Sequence, residues 1–221
     1  LNTSIADLLV VIVVNDGSKD NTKLVVENYV EQYPNIITLV NKENGGHGST
    51  INTSIPLARG KYYKIVDSDD WVDRVGLEKL IDELRCCEAD IIFNPYYEIQ
   101  AESEKRVRKV VPFDKKQDCG KARKLSDINN INLYMHSMTI KTSVMKNMNE
   151  KLDENCFYVD MEYTIFPILW ARTYICLEFP VYEYLLGTTT QSMNINNLIN
   201  RRNQHLKVTK RIISFYNINK S

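Results

Sequence analysis

Three aspartates lie within four residues of one another, at positions 67, 69 and 70, directly after the strand-like run Tyr62 to Val66. Carboxylates this close repel one another unless a cation lies between them. Oxygen-only ligands favour Mg²⁺ or Mn²⁺ over zinc, and an ion held by one or two carboxylates keeps open positions that phosphate oxygens can fill. The segment Asp67-Ser68-Asp69-Asp70 therefore predicts a divalent-metal site for a phosphorylated ligand. An acidic turn that caps the next helix fits the same residues.

A second candidate site lies at Asp16-Gly17-Ser18, after the apolar run Val11 to Val14. An acidic group there can accept hydrogen bonds from a base or a ribose, and Gly17 lets the backbone approach such a ligand closely. Asn-Asp-Gly-Ser is also an ordinary turn and helix cap. Its predicted place at the same sheet edge as the three aspartates favours one shared binding site.

The segment Asn44-Gly45-Gly46-His47-Gly48 precedes a stretch with helical periodicity. Backbone N–H groups of Gly45 and Gly46 at such a helix start can cradle an anion. The segment lacks the Gly-Lys-Ser/Thr ending of a Walker loop. His47 is a candidate donor to a phosphate or a sugar, and an ordinary turn histidine is the alternative.

The elements that position these turns follow from the hydrophobic pattern between residues 11 and 94. Short apolar runs alternate there with helix-period segments, which predicts the order β-α-β-α-β-α-β. The predicted strands are Val11 to Val14, Ile36 to Val40, Tyr62 to Val66 and Ile91 to Phe93. This order is typical of an α/β fold in which helices flank a mostly parallel sheet whose strand ends carry the ligand site.

The second half of the chain is less regular. Charged, alternating residues from Pro95 to Phe113 predict an exposed hairpin or an irregular excursion. Short strands are predicted at residues 138–140, 174–179 and 181–185, and helices at 160–169 and 198–216. We therefore divide the chain into an α/β half, residues 1–115, and a smaller α+β half, residues 116–221.

The start of the chain shows one inconsistency. Leu1 to Leu8 has the pattern of a helix, yet the strand pattern begins at Leu9 with no turn residue between them. A helix and the strand that it packs on normally need a connection of about 2 to 6 residues. Either a loop is absent from the chain, or the helix assignment is wrong.

Composition excludes several classes of protein. Basic and acidic residues number 28 each, so no net charge favours nucleic acid or an anionic membrane. The five cysteines show no spacing that suits zinc and predict reduced thiols. No stretch approaches the ~20 apolar residues that span a bilayer, and no signal peptide is visible. We expect a soluble, cytoplasmic chain that recognises its partners locally.

Four segments, taken in order, resemble the N-terminal half of family 2 glycosyltransferases. They are Val11 to Thr22 (VIVVNDGSKDNT), Asn41 to Gly46 (NKENGG), Ala58 to Tyr62 (ARGKY) and Asp67 to Asp70 (DSDD). The resemblance implies the GT-A fold, a Rossmann-like domain. Residues 1–115 would bind a nucleotide-sugar, and residues 116–221 would form the acceptor side with the C-terminal helices. It also implies Mn²⁺ or Mg²⁺ as cofactor and inversion at the anomeric carbon.

The same resemblance implies roles for single residues in the first half. Asp16, within its Gly17-Ser18 turn, would bind the nucleoside. Asp67 would contact the ribose side, and Ser68 beside it would belong to the donor-binding residues. Asp69 would hold the metal, and Asp70 is the alternative ligand.

The family also supplies a catalytic base from an acidic motif that opens a later helix. Its best match here is Tyr158-Val159-Asp160-Met161-Glu162-Tyr163, where Val159 replaces the usual acidic neighbour. Asp160 is therefore the expected base and Glu162 the alternative, although a carboxylate at a helix start is also a routine contact with the helix dipole. The acceptor side would be shaped by Trp170, Tyr182, Tyr184 and the loop from Gly187 to Ser192.

The chain departs from the family pattern in three places. The strand with a Pro-x-Tyr/Phe-Asn ending that opens the family is missing, which removes part of the nucleoside pocket. Ser49-Thr50-Ile51-Asn52 stands where Ala-Arg-Asn is usual, which puts an arginine contact in doubt. The Gln-x-x-Arg-Trp signature of processive synthases is absent, which argues against a polymerase of the cellulose, chitin or hyaluronan type.

The resemblance, together with the predicted metal site, implies an inverting, metal-dependent hexosyltransferase. It would move a sugar from a nucleotide-sugar, with UDP as the expected nucleotide, to a hydroxyl of a glycan or lipid-linked glycan in surface-polysaccharide or cell-envelope assembly. The implied location is the cytoplasm, with peripheral association at the inner face of the membrane.

Two other functions stay open. A sugar-phosphate nucleotidyltransferase would need a Gly-rich, basic loop after the first strand, which the chain lacks. A non-catalytic carbohydrate- or partner-binding module derived from a transferase is the second. Metal-dependent release of a nucleoside diphosphate would separate an enzyme from such a module.

Overall fold

The computed structural model describes residues 3–114, 119–187 and 195–220. Its helices are α1 (Thr3–Ala6), α2 (Thr22–Gln32), α3 (His47–Leu57), α4 (Arg74–Cys86), α5 (Thr142–Asn147), α6 (Asp160–Ile165), α7 (Ile195–Asn200) and α8 (Arg202–Asn219). Its strands are β1 (Val11–Asp16), β2 (Ile37–Lys42), β3 (Tyr62–Tyr63), β4 (Trp71–Val72), β5 (Ile91–Phe93), β6 (Tyr96–Gln100), β7 (Lys105–Val110), β8 (Arg123–Lys124), β9 (Met138–Lys141), β10 (Thr173–Cys176) and β11 (Tyr182–Leu186). Short 3-10 turns occupy Leu125–Asp127, Met135–Ser137 and Phe166–Leu169.

The first two strands form a parallel pair that brings two of the predicted turns together. β1 and β2 pair in register from Val11 opposite Ile37 to Asp16 opposite Lys42. The β-branched residues of these strands favour extended backbone because they restrict the side-chain rotamers. Both strands run in the same direction, so Asp16 and the glycine turn after Lys42 emerge at one edge.

The remaining described strands form two mixed sheets, with the orders β3-β9-β5-β10-β8 and β4-β11-β6-β7. The α/β class, with helices flanking sheets, is confirmed. The pairing is mixed rather than mostly parallel, because β9 enters antiparallel between β3 and β5. β9 in the first of these sheets and β11 in the second belong to the second half of the chain, so both sheets cross the boundary at residue 115. The functional division at that boundary stays a prediction.

One hydrophobic core joins the two halves and fixes α6 against the sheet. Phe93, Met138 and Tyr163 are completely buried, and Phe215 of α8 packs on Phe166 with a ring separation of 4.5 Å. Burial of this apolar surface, at about 25 cal/mol per Å², is the main term that holds the sheet and α6 in register.

Two elements are shorter than the sequence pattern predicts. The third strand was expected from Tyr62 to Val66, but only Tyr62–Tyr63 pairs, because the ladder to β9 ends at the Tyr63–Ile140 pair. The first helix ends at Ala6 rather than Leu8. Residues 7–10 then form the connection to β1 that the pattern lacked.

The region after Pro95 is a hairpin, which was one of the two structures predicted for it; the other was an irregular excursion. β6 and β7 pair antiparallel, and Lys105 to Lys109 of β7 are exposed.

α2 is the most solvent-exposed of the longer helices. It has no buried residue, and Leu24 and Tyr29 are more than half exposed. Among the described residues, no helix combines the length and apolar character needed to cross a bilayer.

Candidate functional site

Asp16 ties the end of β1 to the glycine turn that opens α3. Lys42 Nζ donates to Asp16 Oδ1 at 2.7 Å. The N–H groups of Gly45 and Gly46 donate to its Oδ1 and Oδ2 at 2.9 and 2.7 Å. Burial raises the pKa of Asp16, but Lys42 and the two amides outweigh it and hold the pKa below its ordinary value. The amides expected to cradle an anion therefore bind this carboxylate instead.

The turn after Asp16 needs glycine at position 17. Gly17 has φ +74°, in the left-handed region, and a Cβ there would lie 2.9 Å from Asn44 N. The turn is closed by the Ser18 N–H, which donates to Asn15 Oδ1 at 3.0 Å. A backbone this close to Asn44 leaves no room for a side chain at position 17.

α3 holds the loop that leads into α6. Asn52 makes a paired contact with Leu152, whose N–H donates to Asn52 Oδ1 and whose carbonyl accepts from Asn52 Nδ2, both at 2.9 Å. Asn155 N–H donates to Gly45 O at 2.6 Å. Asn52 comes from the segment that departs from the family pattern, and in this chain it fixes the route of the backbone toward Asp160.

Gly48→Ala is expected to lower the free energy of unfolding by about 1–3 kcal/mol. A Cβ at Gly48 would lie 2.1 Å from the carbonyl oxygen of Asp153, so α3 and the loop at residues 152–155 would have to separate. Urea denaturation measures the change. Gly60→Ala is the matched control, because the nearest atom to its Cβ would be Tyr62 O at 3.5 Å. Equal stability of both variants would show that the loop is not held against α3.

Asp67 lies between two histidines from distant parts of the chain. His47 Nε2 is 3.3 Å from Asp67 Oδ1, and His136 Nε2 is 3.7 Å from Asp67 Oδ2. Burial raises the pKa of Asp67, but the interactions with His136 and His47 outweigh it and hold the pKa well below its ordinary range. Asp67 is therefore a carboxylate anion at neutral pH.

Asp70 is held from the opposite side by β11. Its Oδ2 accepts the Tyr182 hydroxyl at 2.6 Å, and its Oδ1 accepts the Leu185 N–H at 2.8 Å. The side chain is fully buried, and burial raises the pKa of Asp70 to about 6 although these hydrogen bonds lower it. Tyr182 Oη also accepts the Asp67 N–H at 3.1 Å, so one tyrosine sets the position of both aspartates.

The aspartates of the turn point in different directions. Asp67, Asp70 and His136 each offer one ligand atom, and these atoms lie within 4.8 Å of one another. Ser68 and Asp69 are exposed in the turn, and Asp69 is outside this group. Of the alternatives for the metal, the structure brings Asp67 and Asp70 together and leaves Asp69 facing solvent.

Asp160 begins α6, and its side chain is exposed. Its charge reaches His47: burial lowers the pKa of His47, but Asp67, Asp160 and Asp69 raise it above its ordinary value. Burial and the charges of the four aspartates 70, 67, 69 and 160 together raise the pKa of Tyr184 to about 12. Asp160, from the second half of the chain, therefore acts on the same two side chains as the aspartates of the turn, and the four carboxylates form one acidic cluster.

Glu162, the alternative base, is in a different position. Its side chain is fully buried, where Oε2 accepts the Asp153 N–H at 2.8 Å and Oε1 accepts Arg211 Nη1 at 3.1 Å. A carboxylate enclosed and bonded in this way has no open path to a substrate hydroxyl. Between the two candidates, the geometry favours Asp160.

Several residues of the site were missed or placed elsewhere by sequence reasoning. No role was assigned to His136 or Lys42. Tyr182 and Tyr184 were expected on the acceptor side, yet they contact or face the aspartate turn. Trp170 stacks on Phe215 of α8 at 6.5 Å. Most of the predicted acceptor loop, at residues 188–192, lies outside the described residues.

Comparison with curated proteins identifies relatives of this chain. The "Uncharacterized glycosyltransferase MG025 homolog" of Mycoplasma pneumoniae is 51% identical over 63 residues, which are 28% of this chain and 21% of that protein. The "Minor teichoic acid biosynthesis protein GgaB" of Bacillus subtilis is 30% identical over 149 residues, which are 66% of this chain and 16% of that protein. The chain thus spans about a fifth or less of the length of these relatives.

Comparison with solved structures identifies the same fold. TarS 1–349 of S. aureus in complex with UDP-GlcNAc matches with a TM-score of 0.68 at 21% identity, over 85% of this chain and 54% of that chain. The complex of the same protein with UDP matches with a TM-score of 0.66 at 21% identity, over 82% and 52% of the two chains. At this level of identity the likeness establishes the fold, and the expected GT-A architecture is confirmed.

A profile of "Glycosyl transferase family 2" matches residues 3–155, more than half of the 221 residues of the chain. The match includes the Asp16 edge, the glycine turn and the Asp67–Asp70 turn whose geometry is described above. On the evidence of that match, the chain belongs to glycosyl transferase family 2.

Proposed function

We propose that this chain forms the catalytic part of an inverting transferase that moves a sugar from a UDP-sugar to a hydroxyl of a glycan or lipid-linked glycan. The observation that carries the proposal is an acidic cluster: Asp67 and Asp70 from the first half offer ligand atoms within 4.8 Å of each other, and their charges act on Tyr184 together with that of Asp160 from the second half. A donor diphosphate and an acceptor hydroxyl need acidic groups of two kinds, one set that holds a cation and one base. This acidic cluster contains candidates for both.

The relatives support the choice of donor and acceptor. TarS, the matched structure, is described in complexes with UDP-GlcNAc and with UDP. GgaB is a minor teichoic acid biosynthesis protein, which supports an acceptor in a cell-envelope polymer. We propose the cytoplasm, at the inner face of the membrane, as the place of action on the same grounds.

The residues present fit a divalent cation. Asp67 is an anion, Asp70 offers a second oxygen, and the gap between their ligand atoms suits one ion. Oxygen ligands of this kind suit Mn²⁺ or Mg²⁺. Such a cation, when bound, supplies positive charge that offsets the charge developing on a departing diphosphate. The exposed Asp69 lies next to this gap and remains a candidate ligand through a change of its side-chain direction.

The chain's own residues supply the other parts of the reaction. Asp160 accepts the proton of the acceptor hydroxyl, which attacks the anomeric carbon from the face opposite the diphosphate and so inverts it. The end of β1 at Asp16, which is hydrogen-bonded to the glycine turn, positions the nucleoside. His47, next to Asp67 at the start of α3, is placed to donate a hydrogen bond to a phosphate oxygen.

Turnover of a panel of nucleotide-sugars tests this function. Release of UDP from at least one UDP-sugar should depend on Mn²⁺ or Mg²⁺ and should stop in EDTA. Binding of UDP without release from any donor and any acceptor would favour a non-catalytic binding module. Release of pyrophosphate from a nucleoside triphosphate and a sugar phosphate would favour a nucleotidyltransferase.

A further inference from the structure

His136 is held more firmly than a surface histidine. It lies in the 3-10 turn Met135–Ser137, immediately before β9. Its ring stacks on Tyr184 at 4.3 Å with an interplanar angle of 25°, and it contacts Tyr182 at 4.8 Å and Tyr96 at 5.4 Å. Three aromatic rings therefore restrict its rotation. The side chain is only 17% exposed.

The backbone of His136 is fixed as well. Lys64, which follows β3, donates from Nζ to the carbonyl oxygen of His136 at 2.8 Å and to that of Met138 at 3.2 Å. β3, just before Lys64, and β9, just after His136, also pair through Tyr62–Lys141 and Tyr63–Ile140. The segment that carries His136 is therefore bound to the segment that leads to Asp67 by both side-chain and strand hydrogen bonds.

The distances from His136 to the aspartates are those of ligands around one ion. Nε2 is 3.7 Å from Asp67 Oδ2 and 4.0 Å from Asp70 Oδ2. Both separations exceed a normal hydrogen bond, which ends near 3.2 Å. Ligands that each lie ~2.0–2.2 Å from a metal stand roughly 3–4 Å apart. The ring nitrogen and both carboxylates therefore face one gap of the right size.

His47 does not compete for this place. It approaches the other oxygen of Asp67, Oδ1, and its side chain is more exposed, at 37%. Among the described residues, the group of potential ligands contains Asp67, Asp70 and His136 and excludes His47. The two histidines therefore have separate tasks, one on each side of the Asp67 carboxylate.

We propose that His136 Nε2 is a ligand of the divalent cation, together with Asp67 and Asp70. The inference rests on the proposed function, which supplies the cation. A nitrogen ligand changes the choice of metal, because imidazole binds transition-metal ions better than it binds Mg²⁺, whose sites consist of oxygen atoms. The site should therefore prefer Mn²⁺ or Co²⁺ to Mg²⁺.

The test uses the purified chain and Mn²⁺ alone. Electron paramagnetic resonance counts free Mn²⁺ during a titration, and its pulsed form detects a ¹⁴N nucleus bound to the ion. The parent should bind Mn²⁺ and show the ¹⁴N signal. His136→Gln should weaken binding by about 10-fold or more and lose the signal. His205→Gln, a change of an exposed histidine on α8, is the matched control and should behave as the parent.

A second variant keeps the test decisive if His136→Gln folds poorly. His136→Asp replaces nitrogen by oxygen and should retain binding while moving the preference toward Mg²⁺, measured by Mg²⁺ competition against Mn²⁺. A purely structural histidine would not change the ratio of the two affinities. An unchanged ratio, or a ¹⁴N signal that persists in His136→Gln, overturns the inference and leaves the proposed function intact. A parent that binds no Mn²⁺ overturns both the ligand assignment and the metal part of the function.

Discussion

Asp160→Asn is expected to lower kcat by about 10² to 10⁴-fold, the usual contribution of a general base. An amide cannot accept the proton of the acceptor hydroxyl, so the nucleophile would attack as a neutral alcohol. The side chain is exposed at the start of α6, where a change of one atom disturbs no packing. Steady-state kinetics with the active UDP-sugar measures kcat, and calorimetry with the same donor measures its affinity, which should stay nearly constant.

Two comparisons make the Asp160 result specific. Asp82→Asn removes an exposed carboxylate from α4 and should leave kcat unchanged. A decline in both kcat and donor affinity for Asp160→Asn would indicate a binding role instead. Normal turnover of the variant would show that another group is the base.

Arg211→Met is expected to lower the free energy of unfolding by about 3 kcal/mol, the lower end for loss of one partner of a buried pair, because it leaves the fully buried Glu162 without its partly exposed cation. Arg211 Nη1 contacts Glu162 Oε1 at 3.1 Å and Asp153 Oδ1 at 2.7 Å. Asp153 keeps an ion pair with Lys207 at 2.8 Å. Glu162, which is fully buried, loses this cation and is destabilised as an anion. Urea denaturation measures the change.

The deficit of Arg211→Met should depend on pH. Burial already raises the pKa of Glu162, and Arg211 lowers it, so loss of Arg211 raises it further. An acid whose folded-state pKa lies above its unfolded value stabilises the fold while protonated and loses that contribution as pH rises through the folded-state pKa. The deficit should therefore be larger at about pH 8 than at about pH 5.

Two variants distinguish the loss of the Arg211–Glu162 ion pair from a general effect of substitutions in α8. Lys210→Met changes the exposed neighbour of Arg211 and should leave stability within about 0.5 kcal/mol of the parent. The double variant Glu162→Gln with Arg211→Met should recover part of the loss, because it removes the unpaired charge. A deficit that stays the same at both pH values and in the double variant would contradict the ion-pair explanation.

Elements that depend on residues close together in the chain were predicted correctly. The β-branched run Val11 to Val14 predicted β1 and the glycine after Asp16 predicted the turn that follows it, and the structure has both. Ile91–Phe93 is a strand with the predicted bounds. Each of these depends on residues that are neighbours in the chain, so periodicity and turn chemistry were sufficient.

The composition of the candidate site was harder to predict, because it depends on contacts between distant segments. His136 reaches Asp67 only because β9 enters antiparallel beside β3, and nothing in Met135-His136-Ser137 indicates that pairing. The directions of the side chains in the aspartate turn were equally unpredictable from the sequence. The Asp70 side chain points into the protein because the Tyr182 hydroxyl and the Leu185 amide of β11 donate hydrogen bonds to it, whereas its neighbour Asp69 points into solvent.

Glu162 illustrates a general limit of motif reasoning. Asp160 and Glu162 are two residues apart and chemically similar, so the sequence could rank them only by position in a motif. The structure distinguishes them by their surroundings: Asp160 is exposed, and Glu162 is enclosed by Arg211 and the Asp153 amide. The distinguishing partner, Arg211, is on α8, beyond the residues matched by the family profile.

Calorimetric titration of UDP, with Mn²⁺ present and then with EDTA, tests the central claim that a cation held at the Asp67 turn binds the donor diphosphate. The account predicts that Mn²⁺ strengthens UDP binding by about 10-fold or more, equivalent to ~1.4 kcal/mol, and that Asp67→Asn abolishes this gain. Equal affinity for UDP with Mn²⁺ and with EDTA in the parent chain would contradict it.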